Sequence, residues 1–128
     1  MIAKTMKKIK TIIVVPTIRE ASIKRFLEEW DKELFGDKRF FVHLFIVEDN
    51  PTKTFRISLK KRRITHYSWD NIEHDLKGNS WIIPRRSDCI RSYGYLKAYQ
   101  LKPDMIVTLD DDCYPLPRYD RKYIYSQN

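Results

Sequence analysis

Three short apolar runs, each ended abruptly by polar residues, constrain the fold of this chain more than any other feature of its sequence. They lie at residues 11–18, 40–47 and 105–109, and their apolar cores do not alternate with polar side chains. An unalternated run of Ile, Val, Leu and Phe is typical of a strand buried on both faces, as in a parallel sheet. The runs therefore predict an α/β fold with a mostly parallel sheet.

Helical periodicity separates the apolar runs. Between the first two, apolar residues recur at helical spacing, with Ser22 as the predicted N-cap and Gly36 as the predicted end. A second clear helix is predicted over residues 88–101. The other predicted elements are a short helix over 70–77, short strands over 54–59 and 63–67, and an extended segment over 81–84. Strand, helix and strand in this order make a βαβ unit with a right-handed crossover.

The composition restricts the class of protein. The chain has 128 residues, of which 42% are hydrophobic and 33% charged, as expected for one soluble globular domain. No apolar run reaches the roughly 18 residues of a membrane span. The first run is cut short by Pro16 and Arg19, and no signal-peptide cleavage site follows it. Cys89 and Cys113 fit the free thiols of a reducing compartment. We therefore expect a cytoplasmic protein without a membrane partner.

The excess of basic residues bears on the kind of ligand. The chain has 25 Lys and Arg against 17 Asp and Glu, which gives a formal net charge of +8. Basic residues concentrate at 60–63, at 85–86 and at 118–122. Such clusters have three interpretations: a solvated surface, contact with a phosphate-bearing small ligand, or binding of nucleic acid. The run at 60–63 lies between two extended segments, where a solvated turn is the simplest explanation, so nucleic acid is the least favoured.

Three consecutive carboxylates directly after the third run are the strongest chemical signal. Ligands of open α/β sheets bind beyond the carboxyl ends of the strands, where Asp110, Asp111 and Asp112 are expected. Mg²⁺ and Mn²⁺ take carboxylate oxygens and commonly bridge to phosphate. Because alternate residues that leave a strand point apart, at most two of the three side chains face one ion. A polar turn that ends the strand without binding an ion is the alternative.

The other strand ends and one helix also present polar groups. The second run ends at residues 48–50, where an acidic side chain can accept hydrogen bonds from a ribose hydroxyl or a base N–H. The first ends at residues 16–19. Arg85, Arg86 and Arg91 lie before and within the helix that precedes the triple Asp, and the guanidinium fork suits pyrophosphate. A surface position without a ligand is an equal alternative for each arginine.

Four blocks of the sequence follow one another in an order that is typical of a known family. The blocks are IVVPTIR at 13–19 with FLEEW at 26–30, FIVEDNPTKT at 45–54, DCIRSYGY at 88–95 and TLDDDC at 108–113. They resemble the reversibly glycosylated polypeptide family, the UDP-arabinopyranose mutases. Their order, and the Cys after the triple Asp, make the resemblance specific, whereas residues 55–86 match only loosely. The resemblance implies a GT-A glycosyltransferase-like, Rossmann-like fold that binds a UDP-sugar.

The resemblance also implies roles for single residues. The implied nucleotide-sugar-binding residues are Pro16, Thr17, Arg19, Asp49, Arg91, Asp110 and Asp111, and the implied metal ligands are Asp110 and Asp112. Arg91 would face the diphosphate and Asp110 would lie near the ribose, while the first four residues of the set would hold the nucleoside. Asp111 or Asp112 would hold the Mn²⁺ or Mg²⁺ ion that bridges the diphosphate.

The length of the chain departs from the family pattern. Family members are much longer, and the arginine that they glycosylate has no counterpart here. We expect residues 1–128 to form one GT-A-like domain, truncated after the triple Asp. The expected function is metal-dependent binding of a UDP-sugar, with mutase or glycosyl-transfer chemistry in the longer relatives. The alternative is a non-catalytic module for phosphate-rich ligands or nucleic acid. An uncovered sheet edge would favour homo- or hetero-oligomers.

Overall fold

A computed structural model describes residues 7–58 and 63–116 of the chain, and within them four strands form one parallel sheet. The elements are β1 (Ile9–Thr17), α1 (Glu20–Phe35), β2 (Phe40–Glu48), β3 (Ile64–Tyr67), α2 (Trp69–Leu76), α3 (Arg91–Gln100) and β4 (Met105–Thr108), with 3₁₀ turns at Lys77–Ile82 and Asp88–Ile90. The strand order is β3-β2-β1-β4, and every pair is parallel. The predicted α/β, Rossmann-like fold with helices flanking a parallel sheet is confirmed.

Strand β1 lies in the middle of the sheet and is covered on both faces. Val14 belongs to an apolar cluster that includes Tyr93 of α3, and Val15 belongs to a second cluster that includes Ile23 and Phe26 of α1. Successive side chains of a strand point to opposite faces, so a strand between two helical layers needs apolar residues at every position. This explains the unalternated first run.

Strand β4 differs from the prediction, because its expected burial on both faces is wrong. Met105 is 40% exposed and Ile106 is 38% exposed. β4 ends the sheet, and within the described part of the chain β1 is its one neighbour. An edge strand has only one neighbouring strand to cover it, so an apolar sequence does not by itself produce burial. Val107 is the exception and packs against the cluster beneath α1.

Other element boundaries also differ from the predictions. Helix α1 begins directly after Arg19 rather than after Ser22, because the Arg19 carbonyl already accepts a hydrogen bond from the amide of Ile23. The extended segment predicted at 81–84 is wrong over its first half, which belongs to a 3₁₀ turn. Residues 54–58 form no strand, and residue 59 lies outside the described residues together with the basic runs at 60–62 and 118–122. No described helix combines the length and apolarity that crossing a membrane requires.

Helix α3 packs closely on the sheet at Gly94. A Cβ atom at this position would overlap the Val14 side chain and would lie 3.1 Å from Cγ2 of Val47. The missing side chain therefore lets the helix backbone pack directly on β1 and β2. Because the same helix begins at Arg91, this packing also fixes the distance between Arg91 and the sheet.

We expect Gly94→Ala to lower the free energy of unfolding by about 1–3 kcal/mol, because an added methyl group forces α3 away from the sheet. The measurement is urea unfolding followed by circular dichroism. Gly78→Ala is the control, since a Cβ at Gly78 meets nothing within 4 Å. Equal losses of unfolding free energy in the two variants would show that the close packing of α3 on the sheet does not require a glycine at position 94.

Candidate functional site

The carboxyl ends of the strands border a cleft of about 330 Å³. It lies where β1 is flanked by β2 on one side and β4 on the other, which is the position at which open α/β sheets bind ligands. The predicted site residues that line it are Pro16, Thr17, Arg19, Asp49, Asp110, Asp111 and Asp112. Arg91 is the one predicted site residue that does not line the cleft. The structure therefore brings together residues that lie up to 96 positions apart.

Asp111 is the inward-facing member of the triple Asp. It is 7% exposed, and its Oδ2 atom accepts a hydrogen bond of 2.7 Å from the Thr17 hydroxyl at the end of β1. A buried carboxylate needs such a partner, because transfer of an unpaired charge from water is costly. One oxygen of Asp111 is therefore used to join the ends of β1 and β4.

Asp110 and Asp112 are exposed and lie near each other. One carboxylate oxygen of each, together with the Cys113 sulfur, falls within a group whose atoms are all within 4.8 Å of one another. Two carboxylates at this spacing fit a hard divalent cation such as Mn²⁺ or Mg²⁺, while a thiol is a softer donor. Asp111 does not belong to this group of atoms.

Arg91 forms hydrogen bonds with two aspartates, Asp88 and Asp110. Its guanidinium donates hydrogen bonds to Asp110 Oδ1 (2.6 Å), to Asp88 Oδ1 (3.1 Å) and to the Thr108 hydroxyl (2.8 Å). Burial alone would lower the pKa of Arg91, but the hydrogen bonds to the two carboxylates outweigh it, and its pKa is raised. Arg91 therefore holds Asp110 in place, and the diphosphate contact that the resemblance implies for Arg91 stays a prediction.

Asp49 lies directly after β2 and is 6% exposed. Its Oδ1 atom accepts a hydrogen bond of 2.7 Å from the Trp69 indole and one of 3.0 Å from the backbone amide of Arg86. Its own amide donates to the Thr17 carbonyl oxygen over 2.8 Å. Asp49 is thus fixed from three directions at the wall of the cleft. Sequence analysis did not identify Trp69, because a contact across 20 residues leaves no local pattern.

The neighbouring arginines have different positions. Arg86 lines the cleft, with its guanidinium carbon 5.2 Å from the centroid of the Trp69 ring. Its backbone has a positive φ of 56°, which is uncommon for a residue with a side chain, and the hydrogen bond to Asp49 supports it there. Arg85 instead donates to Glu73 and to the carbonyl oxygens of Ser80 and Ile83, within and directly after the 3₁₀ turn. Arg86 is therefore the cleft residue of this group.

Glu48, the residue before Asp49, is fully buried and supports the loop that follows β2. Its carboxylate accepts hydrogen bonds from the amide and hydroxyl of Thr54, from the Asn50 side chain and from the Phe55 amide. His66 of β3 adds a contact of 2.8 Å. Burial would raise the pKa of Glu48, but these hydrogen bonds outweigh it and the pKa is lowered. The role of Glu48 is to hold the loop beside Asp49.

His66 makes the stability depend on pH. Its burial lowers its pKa more than Glu48 raises it, so the unfolded chain takes up a proton at this residue more readily than the folded chain. Its contribution is present above about pH 6.5, the unfolded value, and is lost as the pH falls through the lower folded pKa. We expect His66→Gln, which keeps a donor for Glu48, to show a smaller loss of unfolding free energy between pH 7 and pH 5. Denaturant unfolding at both pH values measures it.

The control for this prediction is His74→Gln. His74 is chosen because its side chain is exposed. Burial also lowers the pKa of His43, so His43 is left unchanged in both variants. The loss of unfolding free energy between pH 7 and pH 5 should be smaller in His66→Gln than in this control. A His66→Gln variant with an unchanged pH dependence would contradict the assignment.

Comparison with known families gives one match. The sequence model of the family described as Reversibly glycosylated polypeptide matches residues 6–124. Neither the curated proteins nor the solved structures gave a match to the chain. The matched span contains every residue that lines the cleft. The chain therefore belongs to the reversibly glycosylated polypeptide family, a family of UDP-sugar mutase-like and glycosyltransferase-like proteins.

Proposed function

We propose that this chain binds a UDP-sugar in the cleft together with Mn²⁺ or Mg²⁺. The observation that carries the proposal is that two exposed carboxylates suited to a divalent cation and the buried Asp49 border the same cleft at the switch point of the sheet. Family membership adds support, because the reversibly glycosylated polypeptide family consists of UDP-sugar mutase-like and glycosyltransferase-like proteins.

The β2 side of the cleft is proposed to hold the nucleoside. Oδ1 of Asp49 is engaged by Trp69 and by the Arg86 amide, and we assign the other oxygen, Oδ2, to a ribose hydroxyl or a base N–H. An acceptor that is already fixed in position loses little conformational entropy when its ligand binds. Pro16, Thr17 and Arg19 complete this side of the cleft from the end of β1.

The charge balance of the cleft explains why a metal ion is expected. The charged residues that line it are Asp49, Asp88, Asp110, Asp111 and Asp112 against Arg19 and Arg86, a formal excess of three negative charges. Arg91, which pairs with Asp88 and Asp110 from outside the lining, offsets only one of these three charges, so a diphosphate would be repelled if no further cation were added. We assign Asp110 and Asp112 to a divalent ion, which would neutralise the diphosphate and act as a Lewis acid.

The proposed reaction class is that of the family, mutase or glycosyl-transfer chemistry on a sugar nucleotide. The described cleft supplies groups for the nucleotide and the ion, and we assign no catalytic residue within it. The positive formal charge of the whole chain, +8, favours the approach of an anionic ligand, even though the cleft itself carries the acidic residues.

Isothermal titration with UDP, with and without Mn²⁺, tests the proposal. We expect the parent chain to bind UDP only when Mn²⁺ is present. Asp112→Asn should weaken this binding about tenfold or more, because it removes one of two carboxylate charges from the proposed ion site. Asp104→Asn is the matched control, since Asp104 is exposed at the amino end of β4 and contacts the Lys10 amide.

Two results would count against the proposal. A folded parent chain that binds no UDP in either condition would overturn it. Binding of single-stranded nucleic acid that needs no metal and falls steeply with salt would instead favour the alternative, a module for phosphate-rich ligands.

A further inference from the structure

The acidic turn, residues 110–113, is contacted by α1 as well as by Arg91 of α3. The indole Nε1 of Trp30, on α1, donates a hydrogen bond of 2.7 Å to the carbonyl oxygen of Cys113. The Cys113 amide in turn donates to the Asp110 carbonyl oxygen over 3.1 Å, which closes the turn. A side chain 83 positions away therefore fixes the backbone that carries the two exposed carboxylates.

We propose that Trp30 is a positioning residue for the divalent-metal site, an inference that rests on the proposed function. The bonded carbonyl belongs to the residue directly after Asp112. The amide of the same residue donates to the Asp110 carbonyl oxygen, so Cys113 is held on both sides and Asp112 lies inside the closed turn. Groups that orient metal ligands through hydrogen bonds commonly change metal affinity, although they do not touch the ion.

Helix α1 is suited to this role because its own position is fixed by packing. Ile23 and Phe26 are fully buried against the sheet, and the Trp30 ring lies 6.0 Å from the Phe26 ring, centroid to centroid. The guanidinium carbon of Arg25 also lies 4.4 Å from the centroid of the Tyr114 ring, just after the turn. The helix therefore contacts the end of the turn through two side chains.

The two contributions of Trp30 can be separated by substitution. Its ring packs within the apolar cluster under α1, whereas its N–H group serves the turn. Trp30→Phe keeps an aromatic ring and removes the donor. Phe26→Leu disturbs the packing of the same helix and leaves the donor in place. A purely structural role predicts similar effects from both variants, while a positioning role predicts different ones.

The experiment measures Mn²⁺ affinity by electron paramagnetic resonance, with and without UDP, at a temperature at which all variants are folded. We expect Trp30→Phe to weaken Mn²⁺ binding about tenfold. Phe26→Leu should lower the melting temperature and leave Mn²⁺ affinity unchanged. Saturating Mn²⁺ should restore the UDP affinity of Trp30→Phe to that of the parent chain, because the nucleoside side of the cleft is unaltered.

The outcomes separate the two proposals. A parent chain without Mn²⁺-dependent UDP binding would overturn the proposed function. A parent chain that binds, with Trp30→Phe binding Mn²⁺ equally well, would overturn the role of Trp30 alone. Equal losses of Mn²⁺ affinity in Trp30→Phe and Phe26→Leu would also overturn it, because packing of the helix would then account for the effect.

Discussion

The central position of β1, hydrogen-bonded to β2 on one side and to β4 on the other, is the constraint on which the rest of the structure depends. Its last residue, Thr17, shows the consequence. The Thr17 carbonyl accepts the amide of Asp49 after β2, and its hydroxyl donates to Asp111 after β4. One residue thereby sets the distance between the two acidic walls of the cleft. Parallel pairing brings all these strand ends to one edge, so the site is a product of the topology.

Much of this arrangement is predictable from the sequence. The apolar runs around Val14 and Phe45 predict central strands because both faces of a parallel sheet must be apolar there. Carboxylates that directly follow parallel strands must gather at one edge, so Asp49 and the triple Asp could be placed beside the same cleft before any coordinates were known. Local periodicity and strand direction are sufficient for these two predictions, since neither depends on the tertiary contacts between side chains.

The remaining features depend on tertiary contacts that leave no local pattern. Met105 is exposed on β4, which ends the sheet within the described residues. The apolar run indicates only that a strand forms and not where it lies in the sheet. Whether Arg86 or Arg91 lines the cleft depends on a positive φ at Arg86 and on two carboxylates that engage Arg91. The hydrogen bond from Trp30 joins α1 to a turn 83 positions later, and neither segment signals the other.

Burial divides the carboxylates of this region into two groups with different capacities. Glu48 and Asp111 are buried, and their oxygens accept hydrogen bonds from within the fold, because a buried anion without partners is costly. Glu48 accepts hydrogen bonds through both of its oxygens, while Asp111 gives its Oδ2 atom to Thr17. Asp110 and Asp112 remain exposed and close together, so a cation between them would relieve the repulsion between their like charges. The three consecutive aspartates therefore include one buried residue that supports the site and two exposed residues that border the cleft.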